Sequence, residues 1–502
     1  MKKLLFLFSL CCFTLQLAAQ THFGEKPKLI VGIVVDQMRW DYLDRYYDQF
    51  TEGGFKRLID QGFSCNNCLI NYIPTVTAIG HTSVYTGTTP AFHGICGNSF
   101  YIDGRKVTSC QDDSVATVGS DTERGKQSPR NLLSTTIGDQ LRLHTDFRSK
   151  VVGVSYKDRA AILPAGHSAN AAYWIDTKAL CFVSSTYYMS ELPNYAKQVN
   201  AAIKKNKEVQ KAGSKIGYSP LCGTITTDMA IAALEGEQLG RNESTDMLCV
   251  SYSQTDVIGH EWGTRGEHTD EAYLMLDRDL KRLLDALDRQ VGQGNYLVFL
   301  TADHGAAHNW NYLHDHGIKA SGPLFYKEFT AKIDQALQRQ LGATKEVIRD
   351  ILDNRIILDY AYMDEHDIEP DMVKEVIISE LKKMDHLVTA VDFEHAAIAP
   401  LPDRLKQQIL RGYHPRRSGD IVIIPEPQYY SWWDNVAPTH TTHGSWNPYD
   451  AHIPLLFYGW HIPQGATSHE VHITDIAPTV CQLLHIQQPN ACIGEAITEI
   501  TK

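Results

Sequence analysis

Three aspartates and three histidines carry the chemistry this chain can do, and most of them stand where an apolar run stops. Asp36 follows Leu29–Val35, Asp256 and His260 follow Met247–Ser253, Asp303 and His304 follow Tyr296–Ala302, and His443 closes the set within Pro438–Gly444. Asp256 and His260 have the i, i+4 spacing that turns two side chains to one point on a helix. Asp303 and His304 are neighbours and would point apart in a strand. They converge only if the strand ends there, and Gly305 would permit that turn. Zinc accepts His nitrogen and carboxylate oxygen, and a catalytic site keeps one position open. Six such ligands can hold two divalent ions, and ions about 4 Å apart can hold both the attacking and the leaving oxygen of a phosphoryl displacement. The chain has 22 histidines, so the group identifies the site where no single member does. His308, His314 and His316 are expected to be bystanders.

A nucleophile candidate lies in Asn71–Gly87, an extended segment with Pro74 that turns into a short helix ending at Gly87. Thr77 falls near the helix start, where the dipole and free amides favour an anion. A threonine hydroxyl barely ionises at neutral pH and needs a metal to attack; without one, Thr77 would be an ordinary N-cap. Lys157 and Arg159 follow the apolar Val151–Ser155. In an extended chain, positions i and i+2 share a face, so the two could grip one anion, the guanidinium as a planar fork. The alternative is a solvated charged turn.

These residues need a frame that brings them together. Runs at 29–35, 151–155, 247–253, 296–302, 421–424 and 454–458 have the length of buried strands. Helical patterns at Phe55–Gln61, Ser128–His144, Asp270–Leu287 and Ile473–Leu484 lie between or after them. Ser128-Pro129 has the form of a helix start. The alternation predicts an α/β protein with a mostly parallel central sheet and helices on both faces, whose carboxyl strand ends form the site. Two stretches interrupt it, at about 176–245 (a basic, polar helix around Tyr195–Lys211) and about 311–417 (charged helices such as Pro323–Gln340 and Pro370–Lys383). Both are expected to be accessory elements inserted over the strand ends.

The chain has 502 residues, 43% hydrophobic and 21% charged, within the range of a globular enzyme. Residues 1–19 read as a secretory signal peptide: a basic Met1-Lys2-Lys3, an apolar Leu4–Phe13 and small residues before Gln20. Leu10 ahead of Cys11 argues against lipidation, which needs a small residue there. The mature protein, 20–502, is expected to be periplasmic or secreted, without a stable membrane anchor, and to act as a monomer. Loss of Lys2 and Lys3 takes the formal charge from -12 to about -14, which argues against nucleic acid as a partner and requires any anion site to be built locally. An exported chain allows disulfides, and Cys481 with Cys492 is the expected first pair. Cys65-x-x-Cys68 alone is weak evidence for a redox or zinc site.

At these residues the chain resembles the alkaline phosphatase superfamily, and more closely its zinc-dependent alkaline phosphatases with a threonine nucleophile. The markers are Val35-Asp36-Gln37, Thr77–Ser83, Gly94–Asn98, Lys157–Arg159, Asp256 with His260, Thr301–Gly305, His443-Gly444 and Thr474–Val480. The resemblance implies an alkaline-phosphatase-like three-layer αβα fold with inserted cap elements, and two zinc ions. One would be held by Asp256, His260 and His443, the other by Asp36, Asp303 and His304 with Thr77. Asn98, Lys157 and Arg159 would contact the phosphoryl oxygens, with Lys157 in the place that magnesium takes in some relatives. The Cys-x-Pro-x-Arg motif of sulfatases is absent from Thr77–His81.

The implied activity is phosphomonoester hydrolysis through a phosphothreonine intermediate. Formal charges rank the substrates: two zinc ions, three Asp, a Thr77 alkoxide and the Lys157–Arg159 pair leave a surplus of about +2, which matches a phosphomonoester dianion better than a diester. The competing expectations are a nucleotide pyrophosphatase or phosphodiesterase with the same metal set, phosphonate hydrolysis, and a silent glycan- or metal-binding surface protein on the same fold.

Overall fold

The computed structural model describes residues 25–501; the expected signal peptide lies outside the described residues. The elements that carry the site run, in chain order, β1 (Leu29–Val35), α1 (Thr77–Thr86), β2 (Val151–Ser155), α2 (Asp158–Ala165), β3 (Asp246–Tyr252), α3 (Gln254–Trp262), β4 (Tyr296–Thr301) and β5 (Leu455–Gly459). All five strands coincide with apolar runs, because strands covered on both faces need no polar alternation.

A ten-stranded sheet has β5, β4, β1, β3 and β2 as successive neighbours, followed by Ala171–Asp176 and Cys181–Ser185. β4, β1, β3, β2 and Ala171–Asp176 are mutually parallel. β5 runs antiparallel to β4. The register aligns the carboxyl ends of the parallel strands: Val35 stands opposite Tyr252, Val34 opposite Thr301, and Ser251 opposite Ser155. Everything that follows these strands therefore emerges along one edge of the sheet.

Consecutive residues of β3 show the layers. Ser251 Oγ meets His81 of α1 at 2.8 Å, while Tyr252 OH meets Thr227 of the Leu221–Gly236 helix at 2.9 Å. Neighbouring strand residues point to opposite faces, so α1 covers one face and Leu221–Gly236 the other. α1 packs with α2, Ile137–His144 and Ile476–Leu483, and the long Glu267–Gln290 helix packs on Leu221–Gly236. The result is the expected three-layer αβα arrangement around one large core.

Four expectations need correction. The helix expected from Ser128 begins at Ile137. Ser128 Oγ instead donates to Asp112 Oδ2 (2.6 Å) and accepts from Arg130 N, capping a turn. The working cap is Thr136, in a capping box with Asp139. The run at 421–424 forms Ile421–Pro425, but outside the main sheet: it pairs antiparallel with Arg355–Leu358 and Leu387–Asp392. That smaller sheet joins Ile421–Pro425 to strands from the stretch at about 311–417, where helices Tyr326–Leu341 and Pro370–Leu381 cover a separate apolar core. Lys157 and Arg159 do not share an extended segment, because helix α2 already begins at Asp158 and Lys157 is its N-cap residue. Finally, all nine described cysteines are free. Cys481 is buried in its helix, and Cys492 lies so close to Gly87 that a Cβ there would stand 2.6 Å from its sulfur.

Candidate active site

Asp36 is the residue after β1. Asp256 and His260 sit one turn apart on α3, which begins two residues after β3. Asp303 and His304 follow β4, and they converge because the strand has ended at Thr301. Gly305 does not adopt the left-handed conformation; it is glycine for close approach, since a Cβ there would stand 2.1 Å from Tyr449 O. Gly80 does the same for α1, where a Cβ would meet Asp303 O at 2.3 Å.

The six residues form the two expected groups. Asp256, His260 and His443 bring ligand atoms within 4.8 Å of one another, and so do Asp36, Asp303 and His304. Each histidine is oriented by its other nitrogen. Nδ1 of His260 meets Thr441 O at 2.8 Å, Nδ1 of His443 meets Thr75 O at 2.6 Å, and Nδ1 of His304 meets Gly305 O at 3.0 Å. A carbonyl only accepts, so each Nδ1 carries the proton and each Nε2 offers a lone pair to the cluster. His260 Nε2 lies 3.1 Å and His443 Nε2 3.5 Å from Asp256 Oδ1. His304 Nε2 lies 3.6 Å from Asp36 Oδ1 and 3.4 Å from Asp303 Oδ2.

The donor set fits divalent cations. Asp36 Oδ1, Asp303 Oδ2 and His304 Nε2 are buried with no hydrogen-bond partner among the described residues, whereas buried polar atoms are normally paired. The electrostatics agree. Burial and the neighbouring Asp303 push the Asp36 carboxyl well above the usual range. Burial also opposes ionisation of Asp256 and Asp303. His260 and Lys157 outweigh it at Asp256, and His304 and His81 outweigh it at Asp303, so both lie below the usual range. Burial pushes His304 down to about 3, which keeps it neutral, as a ligand must be. Burial works against charge at His443, but Asp256 outweighs it and raises that imidazole.

Thr77 is the first residue of α1, is 1% exposed, and follows the N-cap Val76, so its hydroxyl is not spent on a cap. Lys157 Nζ reaches Thr77 Oγ1 at 3.3 Å, Asp36 Oδ2 at 2.8 Å and Asp256 Oδ2 at 2.6 Å, and so touches both ligand groups and the hydroxyl. Burial opposes its charge, but Asp256 and Asp36 outweigh that and hold its pKa above the usual lysine value. Asn98 Oδ1 accepts from Ala78 N at 3.1 Å, which holds its amide against the start of α1. Arg159, in the first turn of α2, lies near enough that its charge works against that of Lys157; its own contact is with Asp158 at 3.4 Å.

Two residues without a role in the sequence reading hold the groups in place. Gln37 is a non-glycine residue with φ 65°. Its backbone N–H donates to Asp303 Oδ1 (3.1 Å), and its Nε2 donates to Asp256 Oδ1 (2.7 Å). It thus ties one ligand group to the other, and a left-handed glutamine at this point is the kind of local strain that marks a functional site. His81 Nδ1 lies 2.9 Å from Thr77 O and 3.2 Å from Asp303 Oδ2. The sequence signal for both was position: one follows Asp36, and the other stands one turn after Thr77. The bystanders stay outside, His308 on Thr264 and His314 on Ser321 O. His440 faces Glu261 at 3.4 Å and leaves His443 as the ligand candidate.

A mostly parallel sheet that gathers two carboxylate–imidazole groups, a buried hydroxyl and an ammonium at its carboxyl edge is the arrangement of the alkaline phosphatase superfamily. Within it, a family model described as type I phosphodiesterase / nucleotide pyrophosphatase matches residues 30–446, and the chain belongs to that family. A Myroides odoratus protein named calcium-transporting ATPase is 42% identical, covering 98% of this chain and 98% of its own length. Alkaline phosphatase PafA of Elizabethkingia meningoseptica is 40% identical, covering 96% of each chain. The crystal structure of wild-type PafA superposes with a TM-score of 0.91 at 39% identity, covering 95% of this chain and 99% of that one. Among the described residues, no helix is long and apolar enough to cross a membrane.

Proposed function

We propose that this protein is an exported, zinc-dependent alkaline phosphatase that releases inorganic phosphate from phosphomonoesters through a phosphothreonine intermediate. The observation that carries the reading is the Lys157 ammonium, which meets a carboxylate of each ligand group and the buried Thr77 hydroxyl at once. Two zinc ions would supply Lewis acidity: one held by Asp36, Asp303 and His304 beside Thr77 would favour the alkoxide, and one held by Asp256, His260 and His443 would offset charge on the leaving oxygen. Thr77 Oγ1 attacks phosphorus in line as the ester bond to the alcohol breaks. Water then attacks the phosphothreonine, releasing phosphate and restoring the hydroxyl. Lys157, Arg159 and Asn98 bind the phosphoryl oxygens, so catalysis is mainly positioning and charge stabilisation.

The family name favours a second reading, a phosphodiesterase. Lys157 argues against it. A buried, doubly paired ammonium beside the nucleophile is worth most to a dianion, and the room it occupies is denied to a second ester group. Export by way of residues 1–19, a periplasmic or extracellular location, a monomeric state and a single catalytic unit, 20–502, with an insertion at about 311–417, belong to the same proposal; the stretch at about 176–245, expected to be a second insertion, instead supplies Cys181–Ser185 to the main sheet and Leu221–Gly236 to the layer that covers it. Side-by-side hydrolysis of an aryl phosphomonoester and the matching diester tests it. Monoester preference is expected, and diester preference would replace this reading with the second.

A further inference from the structure

A cavity of about 330 Å³ lies against His443, walled by Tyr326, Tyr430, Trp432, Trp433 and Asn354. That volume is within the range of small-molecule sites. A larger cavity of about 960 Å³, between Lys374 and Ile398, includes none of the catalytic or ligand residues. We propose that the cavity beside His443 seats the alcohol portion of the substrate, and that it selects alcohols carrying a flat, uncharged ring. The inference rests on the phosphomonoesterase reading and adds a substrate class to it.

Three observations lead there. The first is position. His443 belongs to the ligand group that the proposed reaction places beside the leaving oxygen, so an ester group departing on that side meets these walls. The opposite wall comes from the insertion at about 311–417, whose hairpin turns at Asp353 and Asn354, with φ 48° and 60°. The same turn reaches the phosphoryl-binding side, since a Cβ on Gly97, next to Asn98, would stand 2.8 Å from Asp353 Oδ2.

The second is the chemistry of the walls. The Tyr326 and Tyr430 hydroxyls are already committed within the protein. Tyr326 OH donates to Asn354 Oδ1 (3.0 Å) and accepts from Asn354 N (2.9 Å). Tyr430 OH donates to His440 O (3.2 Å) and accepts from Trp310 N (3.2 Å). The Tyr326 and Tyr430 rings therefore offer faces rather than free hydroxyls, and Trp432 Nε1, buried with no partner among the described residues, offers a single donor. A flat ring gains stacking here that a polyol cannot. Trp433 is 60% exposed, so its ring is open to a bound group.

The third is charge. Asp353 is a cavity-lining carboxylate, with its side chain 28% exposed and a 3.2 Å ion pair to Arg355. It disfavours an alcohol that carries a further anion, such as a second phosphate.

Ethyl phosphate and 2-phenylethyl phosphate test the inference, because they present similar alkoxide leaving groups and differ by the ring. The zinc-loaded wild-type protein is expected to favour the phenyl compound by about 10-fold in kcat/KM, the scale of one or two aromatic stacks. The ratio should fall towards one in the Trp432→Ala/Trp433→Ala double variant and persist in Trp433→Phe. Hydrolysis of both esters without preference, or a preference that survives the double variant, overturns the substrate class alone. Hydrolysis of neither overturns the phosphomonoesterase reading with it.

Discussion

Replacing Lys157 by Ala separates the electrostatic account from a merely structural one. Lys157 is 8% exposed, and its Nζ lies 3.3 Å from Thr77 Oγ1, so a phosphoryl group on that oxygen would stand about 4 Å from the charge. At an effective dielectric constant of about 20, two unit charges at about 4 Å interact by about 4 kcal/mol. Rearrangement and residual screening reduce this to about 2 kcal/mol per unit of substrate charge, or about 30-fold. A monoester dianion carries about one charge more than a diester. K157A should therefore lower kcat/KM for an aryl monoester by about 10²–10³-fold, and lower the monoester-to-diester ratio by about 30-fold. The assay is the pair of kcat/KM values for the two esters, together with bound metal. Metal content should be retained, because the substitution removes positive charge from beside Asp36 and Asp256. Equal losses on both substrates, with metal retained, would refute the charge argument.

Two further substitutions probe the site. Thr77→Ala should abolish turnover while keeping bound zinc and the fold, measured by metal analysis and thermal melting; normal turnover would exclude a covalent route through this residue. Gln37→Leu removes the Nε2 donor to Asp256 Oδ1 and, on the scale of other outer contacts to metal ligands, should weaken metal binding or activity by about 10–100-fold, with excess zinc restoring part of the activity. Insensitivity to added zinc in an otherwise impaired variant would assign Gln37 a role in packing instead.

The frame was legible because the strands that carry the site are buried on both faces and so read as unbroken apolar runs. The register then lines up their ends, which is why Asp36, Asp256, Asp303 and Lys157 could be placed together from sequence. What could not be read depends on contacts between distant segments. The length of Ile421–Pro425 shows that it is a strand but not which sheet it joins. Ser128 has the chemistry of a helix cap, yet Asp112, distant in sequence and near in space, takes its hydroxyl. Lys157 and Arg159 were paired on the wrong geometry, because the strand gives way to helix between them. Gln37 and His81 act through bonds to other residues' ligand atoms, and no local pattern announces that. Nor does any local pattern show that the tip of an insertion forms one wall of a cavity beside His443.

The account stands on the two ligand groups being metal sites. Metal analysis of the purified protein, paired with phosphate release before and after chelation, tests this directly. The account predicts two zinc ions per chain, loss of activity on chelation, and recovery with zinc in preference to magnesium. Protein that binds no metal in either group, or hydrolyses phosphomonoesters undisturbed by a chelator, would contradict it.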